Sequence, residues 1–256
     1  MRHELKGIVI AGFVVLAFSS GLRAQMGQKA ADSKAPQASA PAPVHDLSGV
    51  WNMHSTPAQR KFIGSTYTAE PPDMTPWGKA KYEAAKPSNG PRSNALKVTD
   101  DPVLRTCLPP GTPRIYLQPF PLQIVQTPKE IIMLFEYDHT IRQIFMDGRQ
   151  HPADITPTYM GHSIGKWDGD TLVVDTTGFN EKTWLDRDGH QHSGELHVVE
   201  RFHRLDRDNM QVDISMEDSK ALVKPWLTQL NFQLKPDWDI MELACTDNAA
   251  FEDFEK

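Results

Sequence analysis

The chain has 256 residues, with 27 Lys and Arg against 33 Asp and Glu, ten His, two Cys and a formal charge of −6. That acidic balance argues against nucleic acid or an anionic membrane surface as a partner, and the length suits one large domain or two small ones. The chain has no Gly-rich phosphate loop, βαβ rhythm or internal repeat, so no nucleotide cofactor is expected.

Residues 1–24 read as a secretory signal peptide. Arg2 and Lys6 precede an apolar run from Gly7 to Phe18, and Leu22-Arg23-Ala24 offers a cleavage site before Gln25. The run is short for a transmembrane helix, and no cysteine follows it to carry a lipid. Removing Arg2, Lys6, Arg23 and Glu4 subtracts a charge of +2, which takes −6 to −8. The expected product is periplasmic or secreted, without membrane insertion after cleavage. An oxidising compartment permits a Cys107–Cys245 disulfide, with two free buried thiols as the alternative. Residues 25–45 are Ala- and Pro-rich with Ser, Lys and Gln, a composition that cannot bury enough apolar surface to fold, and read as a linker. One domain is expected over 46–248, followed by an acidic tail over 249–256.

The domain opens on Asp46-Leu47-Ser48-Gly49-Val50-Trp51. This Gly-x-Trp resembles the first strand of lipocalins and related calycin barrels, and the resemblance implies a barrel plugged by the tryptophan, with an internal ligand cavity. Residues 52–120 are irregular. Within them Thr75 reads as an N-cap, Pro76 as the first helical position, and a short helix continues over Gly78 to Lys86 until Pro87. So long a loop region suits a cap over one end of a barrel.

From Leu122 the pattern is nearly all strand: Leu122 to Gln126, Glu130 to Tyr137, Thr140 to Met146, His162 to Trp167, Thr171 to Thr176, Leu196 to Leu205, Met210 to Met216, Leu227 to Leu234 and Asp239 to Cys245. With the Gly49 strand this makes about ten. The expected fold is mainly β, an antiparallel meander barrel of lipocalin-like type with a short helix and a long N-terminal loop region.

The clearest hairpin lies across Asp168-Gly169. With those two residues as the loop, Trp167 faces Asp170, Ile164 faces Val173 and His162 faces Asp175. A three-residue loop with a bulge would shift that register. A carboxylate opposite an imidazole fixes its tautomer, which suits a general base, a metal ligand with its outer partner, or a hydrogen bond that only stabilises the sheet. On the next strand Glu195, His197, Val199, Arg201 and His203 share one face, and Leu196, Val198, Glu200, Phe202 and Arg204 share the more apolar one. Glu200 therefore needs a basic partner, or is held for acid/base work. A two-residue turn at Asp208-Asn209 would place Arg204 opposite Asp213.

Arg149 and His151, in a turn after Asp147-Gly148, are candidates to hold an anionic group. Trp184, between strand pairs, is a candidate to stack on a ring-bearing ligand. His190 and His192 resemble the paired histidines of cupin and carbonic anhydrase metal sites, and with His197 they are the candidates for a divalent metal. Their position after Asp188-Gly189 suggests a turn, and no metal or other cofactor is predicted. Gly161-His162-Ser163-Ile164-Gly165 spells G-x-S-x-G within a strand, which is not the strand-to-helix elbow a serine nucleophile requires.

The strings GHSIGKWDGDTLVVDTTGF, KTWLD, LHVVERFHR and DGRQHPAD resemble those of a functionally uncharacterised family of exported soil-bacterial proteins. The resemblance spans Asp46 to Asn248. It implies that His162, Asp175, His197, Glu200 and Arg201 lie in family motifs, and it brings no activity with it.

The expected function is an exported barrel that binds a small organic molecule and acts as an acid/base enzyme of the lyase, isomerase or hydrolase kind. His162 moves a proton under the orientation of Asp175, Glu200 or His197 complements it, and Arg201 steadies negative charge. The alternatives are a periplasmic carrier or sensor without chemistry, and a histidine-rich metal-binding protein.

Overall fold

The computed structural model describes residues 45–245, with 41 and 43. The signal peptide, most of the linker and the acidic tail expected from the sequence lie outside the described residues. Among those described, no helix is long and apolar enough to cross a membrane.

Nine strands close into a barrel in sequence order: β1 (Gly49–Met53), β2 (Leu122–Gln126), β3 (Glu130–Phe135), β4 (Ile141–Phe145), β5 (His162–Asp168), β6 (Thr171–Thr177), β7 (His197–Arg204), β8 (Asn209–Glu217) and β9 (Trp226–Leu234). Asp239 to Cys245 forms no strand. A ring of antiparallel contacts reverses direction at every step and closes only with an even number of reversals. An odd ring must therefore contain a parallel contact, and here it is β4 to β5, which pairs Ile144 with Ser163 and Phe145 with Ile164. Parallel neighbours need a crossover. Residues 146–161 supply it and carry Arg149 and His151.

Alternation sorts the side chains as the period of a strand requires. Leu172, Val174 and Thr176 of β6 and Val198, Glu200, Phe202 and Arg204 of β7 point inward and are buried. Trp51 is fully buried at one end, with Arg204 Cζ 5.0 Å from its ring. Tyr116, carried in by a 3-10 turn (Arg114–Leu117), packs against Phe135 at 5.9 Å and Phe232 at 5.8 Å. The internal ligand space implied by the calycin likeness is thus taken up by the protein's own side chains.

Two expected registers are corrected. The β5–β6 hairpin pairs Asp168 with Thr171 and Ile164 with Asp175, so its loop is Gly169-Asp170 and His162 faces Thr177. Gly169 has φ +58 and Asp170 does not share a positive φ, so a glycine in the first loop position sets the turn. The β7–β8 turn is longer than two residues: Leu205 N–H donates to Asn209, and Arg204 pairs with Met210 while Arg201 pairs with Asp213.

Helix α1 (Pro76–Ala84) begins as the sequence implies, with Thr75 Oγ1 accepting from Gly78 N–H at 3.1 Å. Gly78 lies so close to the Ala221 carbonyl that an added Cβ would meet its oxygen at 2.2 Å, which fixes the helix against the β8–β9 connection. A second helix, α2 (Pro102–Thr106), ends at Cys107, which forms the expected disulfide with Cys245. Cys245 N–H in turn donates to Asp138 Oδ1 at 3.2 Å, in the β3–β4 turn.

The bridge spans 138 residues of sequence, and a closed loop of that size restricts the unfolded chain strongly. Reduction, or the double change Cys107→Ser/Cys245→Ser, is expected to lower stability by about 2–5 kcal/mol in urea denaturation. An unchanged midpoint would mean that the C-terminal segment contributes nothing to the folded state.

Candidate functional site

Below Ser163 the parallel strands no longer pair, and the barrel wall opens into a slot. Asp138 to Gln143 line one side and Thr158 to Ser163 the other, around a cavity of about 500 Å³. That volume lies within the range of small-molecule sites. His162 stands on its outer lip, and His139, of the β3–β4 turn, also lines it. Asp138 and His139 have φ of +52 and +49, a conformation that costs free energy in non-glycine residues. Asp138 is held in it by the bond from the disulfide-tied Cys245.

On the outer face three histidines and one carboxylate form a chain. His162 Nδ1 lies 2.8 Å from His151 Nδ1, His151 Nε2 lies 2.9 Å from Asp175 Oδ1, and His197 Nε2 lies 3.1 Å from Asp175 Oδ2. His162 and Asp175 are therefore linked through His151 and not directly, as the register shift of two residues requires. An ionised carboxylate only accepts, so His151 and His197 donate from Nε2. His151 Nδ1 is then the acceptor for His162 Nδ1–H, which leaves His162 Nε2 as a free lone pair. Burial first, then the repulsion a second protonated ring at His151 would bring and the charge of Arg149, lower the pKa of His162 below its ordinary 6.5. The ring is neutral at pH 7 and ready to take a proton.

Arg149 lies beside this chain, its Nε 2.9 Å from Asp147 Oδ1 and its Cζ 3.8 Å from the Phe145 ring. It lines a second hollow of about 310 Å³ with Lys166 and Asp175. Arg201 is elsewhere. It is on the same face of β7 as His197 but about 13 Å along the strand, and is paired with exposed Asp168 at 3.0 Å.

Glu200 lies on the opposite side of the sheet, inside the barrel and fully buried. It does not itself line the slot, though its partner Arg142 does. Its basic partner is Arg142: Arg142 Nη1 donates to Glu200 Oε1 at 2.9 Å and to Tyr116 Oη at 2.8 Å, and Nη2 donates to Glu200 Oε2 and to Thr176 Oγ1 at 3.0 Å. Ser163 Oγ accepts from Arg142 Nε at 3.2 Å, and Tyr116 O–H donates to Glu200 at 2.8 Å. Burial opposes the Arg142 charge, but Glu200 and Tyr116 more than offset it and hold the group above its usual pKa. Burial and then Glu200 push the Tyr116 hydroxyl well above 10. Ser163 lines the slot, but its Oγ is engaged by Arg142 and by Thr176 Oγ1 at 3.0 Å, and it lies in a strand, as G-x-S-x-G reads here.

The remaining candidates are placed apart. Trp184 is buried, 5.7 Å from Arg114 Cζ, and does not line the slot. His190 Nδ1 donates to Asp186 at 2.7 Å while its ring stacks on Tyr82 at 4.4 Å. His192 Nδ1 donates to the Ser193 carbonyl at 2.9 Å. Among the described residues no group of three or more His, Cys, Asp or Glu could hold a metal.

His192 gives the protein a pH dependence. Burial lowers its pKa from 6.5, partly opposed by Ser193 and by the charges of Asp218 and Glu181. Below pH 6.5 the unfolded chain binds a proton that the folded chain refuses, so stability falls as pH falls until the lowered folded pKa is reached. The slope from this group is at most about 1.4 kcal/mol per pH unit. Urea denaturation at pH 7 and pH 5 should show the loss, and His192→Gln should flatten it.

Sequence reasoning finds neither Arg142 nor Tyr116, and it gives His139, beside an apparent turn, no role. Compared with known proteins, the chain matches no family model and no curated protein.

Proposed function

We propose that the protein is an exported enzyme in which His162 acts as a general base on a small organic molecule bound in the slot between β4 and β5. The observation that carries this reading is the His162–His151–Asp175 chain ending on the lip of a 500 Å³ cavity. A proton leaves the substrate, or a water beside it, for His162 Nε2. The His162 Nδ1 proton shifts toward His151, and Asp175 stabilises the positive charge as the relay forms. Such a group typically accounts for about 10²–10⁴ in rate. With the Ser163 hydroxyl held by Arg142 and Thr176 and by no histidine, the arrangement favours proton abstraction or water activation over attack by a protein serine. That is lyase, isomerase or hydrolase chemistry. The signal peptide read over residues 1–24 and the disulfide support export.

The test is a panel of carbon acids, lactones and esters incubated with the protein in D₂O, read by mass spectrometry for deuterium uptake or product. Turnover by the wild-type chain that vanishes in a folded His162→Ala protein, with binding retained, is the expected result. Equal turnover by His162→Ala would overturn the assignment. Binding of panel compounds in the slot without conversion would favour a carrier.

A further inference from the structure

Seven buried side-chain nitrogen or oxygen atoms among the described residues lack a hydrogen-bond partner, and three of them fall within Thr112-Pro113-Arg114. They are Thr112 Oγ1, Arg114 Nε and Arg114 Nη1. Thr112 is 3% exposed and Arg114 1%. Of the guanidinium only Nη2 is engaged, donating to Asp101 Oδ2 at 2.5 Å, while the other Asp101 oxygen accepts from Val103 N–H at 3.0 Å. Trp184 covers Arg114 with its ring 5.7 Å from Cζ, and hydrogen bonds leave a guanidinium in its plane, where a ring over the face does not meet them.

Buried donors in native proteins are almost always satisfied, and a concentration of them in one tripeptide calls for a common acceptor. The three atoms are alike in kind: Nε and Nη1 can only donate, and the threonine hydroxyl can donate. A water there would bring two hydrogens needing acceptors of their own, whereas a monatomic anion brings none. A second cation is close by: after burial, Arg114's charge lowers the pKa of Arg187, with Asp101 and Asp188 among the groups that oppose it.

We propose that Thr112 and Arg114 bind a small inorganic anion of halide size, with chloride as the physiological occupant. The site is separate from the His162 relay. It lies between Pro109, on the rim of the slot, and Tyr116, the plug of the barrel, and the anion pins the chain that joins them.

The experiment uses the full chain. Thermal unfolding is followed in sodium chloride and in sodium gluconate at equal ionic strength, for the wild-type protein, Thr112→Val and Arg114→Lys, and crystals are soaked in sodium bromide. Chloride at a hundredfold its Kd should raise Tm by about 5–10 °C over chloride-free buffer. Both substitutions should abolish that rise, and an anomalous bromide peak should lie within hydrogen-bond reach of Thr112 Oγ1 and Arg114 Nε. The proposal is overturned if melting is the same in both salts, or if Thr112→Val melts higher than wild type in each, as expected of a hydroxyl with nothing to bind. Should the variants fail to fold, the bromide map of the wild-type crystal decides alone, and oxygen-like density without bromide counts against an anion.

Discussion

Arg142→Met is expected to destabilise the protein by about 3–5 kcal/mol, because it leaves the fully buried Glu200 carboxylate without its counter-charge. Tyr116 would remain as a donor to Glu200, but a single neutral hydroxyl does not replace a guanidinium that donates to both oxygens. The double change Arg142→Met/Glu200→Leu removes the stranded charge together with its partner and should recover most of the loss. Urea denaturation of the two single variants and the double one gives the coupling directly. If the single change costs less than about 1 kcal/mol, the ion pair is not what holds this part of the barrel interior together.

The second large effect is kinetic. Asp175→Asn keeps the shape of the side chain but can turn an amide N–H toward His151 Nε2, which would force that nitrogen to accept. His151 would then carry its proton on Nδ1 and oppose the Nδ1 proton of His162, so His162 would be protonated on Nε2, the nitrogen proposed as the base. Turnover should fall by about 10²–10⁴-fold with little change in stability. Nitrogen chemical shifts report the tautomer independently of any substrate. At pH 7 the wild-type His162 should show a protonated Nδ1 and a bare Nε2, and the variant the reverse. An unaltered His162 tautomer in Asp175→Asn would mean that the carboxylate does not govern the chain.

Several parts of this architecture are legible in the residues themselves because they are decided locally. Thr75-Pro76 fixes a helix start by capping, and the alternation over His197 to Arg204 sorts the two faces of β7 correctly. The disulfide follows from there being two cysteines in a chain read as exported. The β5–β6 register is less secure, because Asp168-Gly169 and Gly169-Asp170 both place a glycine in a two-residue loop. Choosing between them moves every pair by two while leaving each side chain on its face. That is why His162, Asp175 and His197 share the outer face in either register, while His151, which links His162 to Asp175, lies outside the strand pattern. His151 comes from a crossover, and no local pattern says where a crossover lies in space.

Arg142 was hidden for the opposite reason. In Ile141-Arg142-Gln143-Ile144-Phe145 the face with Ile141, Gln143 and Phe145 looks the more apolar, yet it is Arg142 and Ile144 that point into the core. A buried ion pair overrides the binary pattern at both of its ends, so Glu200 is conspicuous only because the rest of its face is apolar.

The odd number of strands has a consequence for how the barrel breathes. A ring with an even count can distribute its hydrogen bonds evenly, whereas this one concentrates its mismatch at a single joint with two rungs. Transient opening should therefore start there, and the amide hydrogens that point across this joint, that of Phe145 among them, should exchange with solvent sooner than those of the β7–β8 ladder, where eight pairs lie side by side. A guest that filled the slot would close the shortest ladder in the wall and slow that exchange, so its arrival could be followed before its chemistry was known.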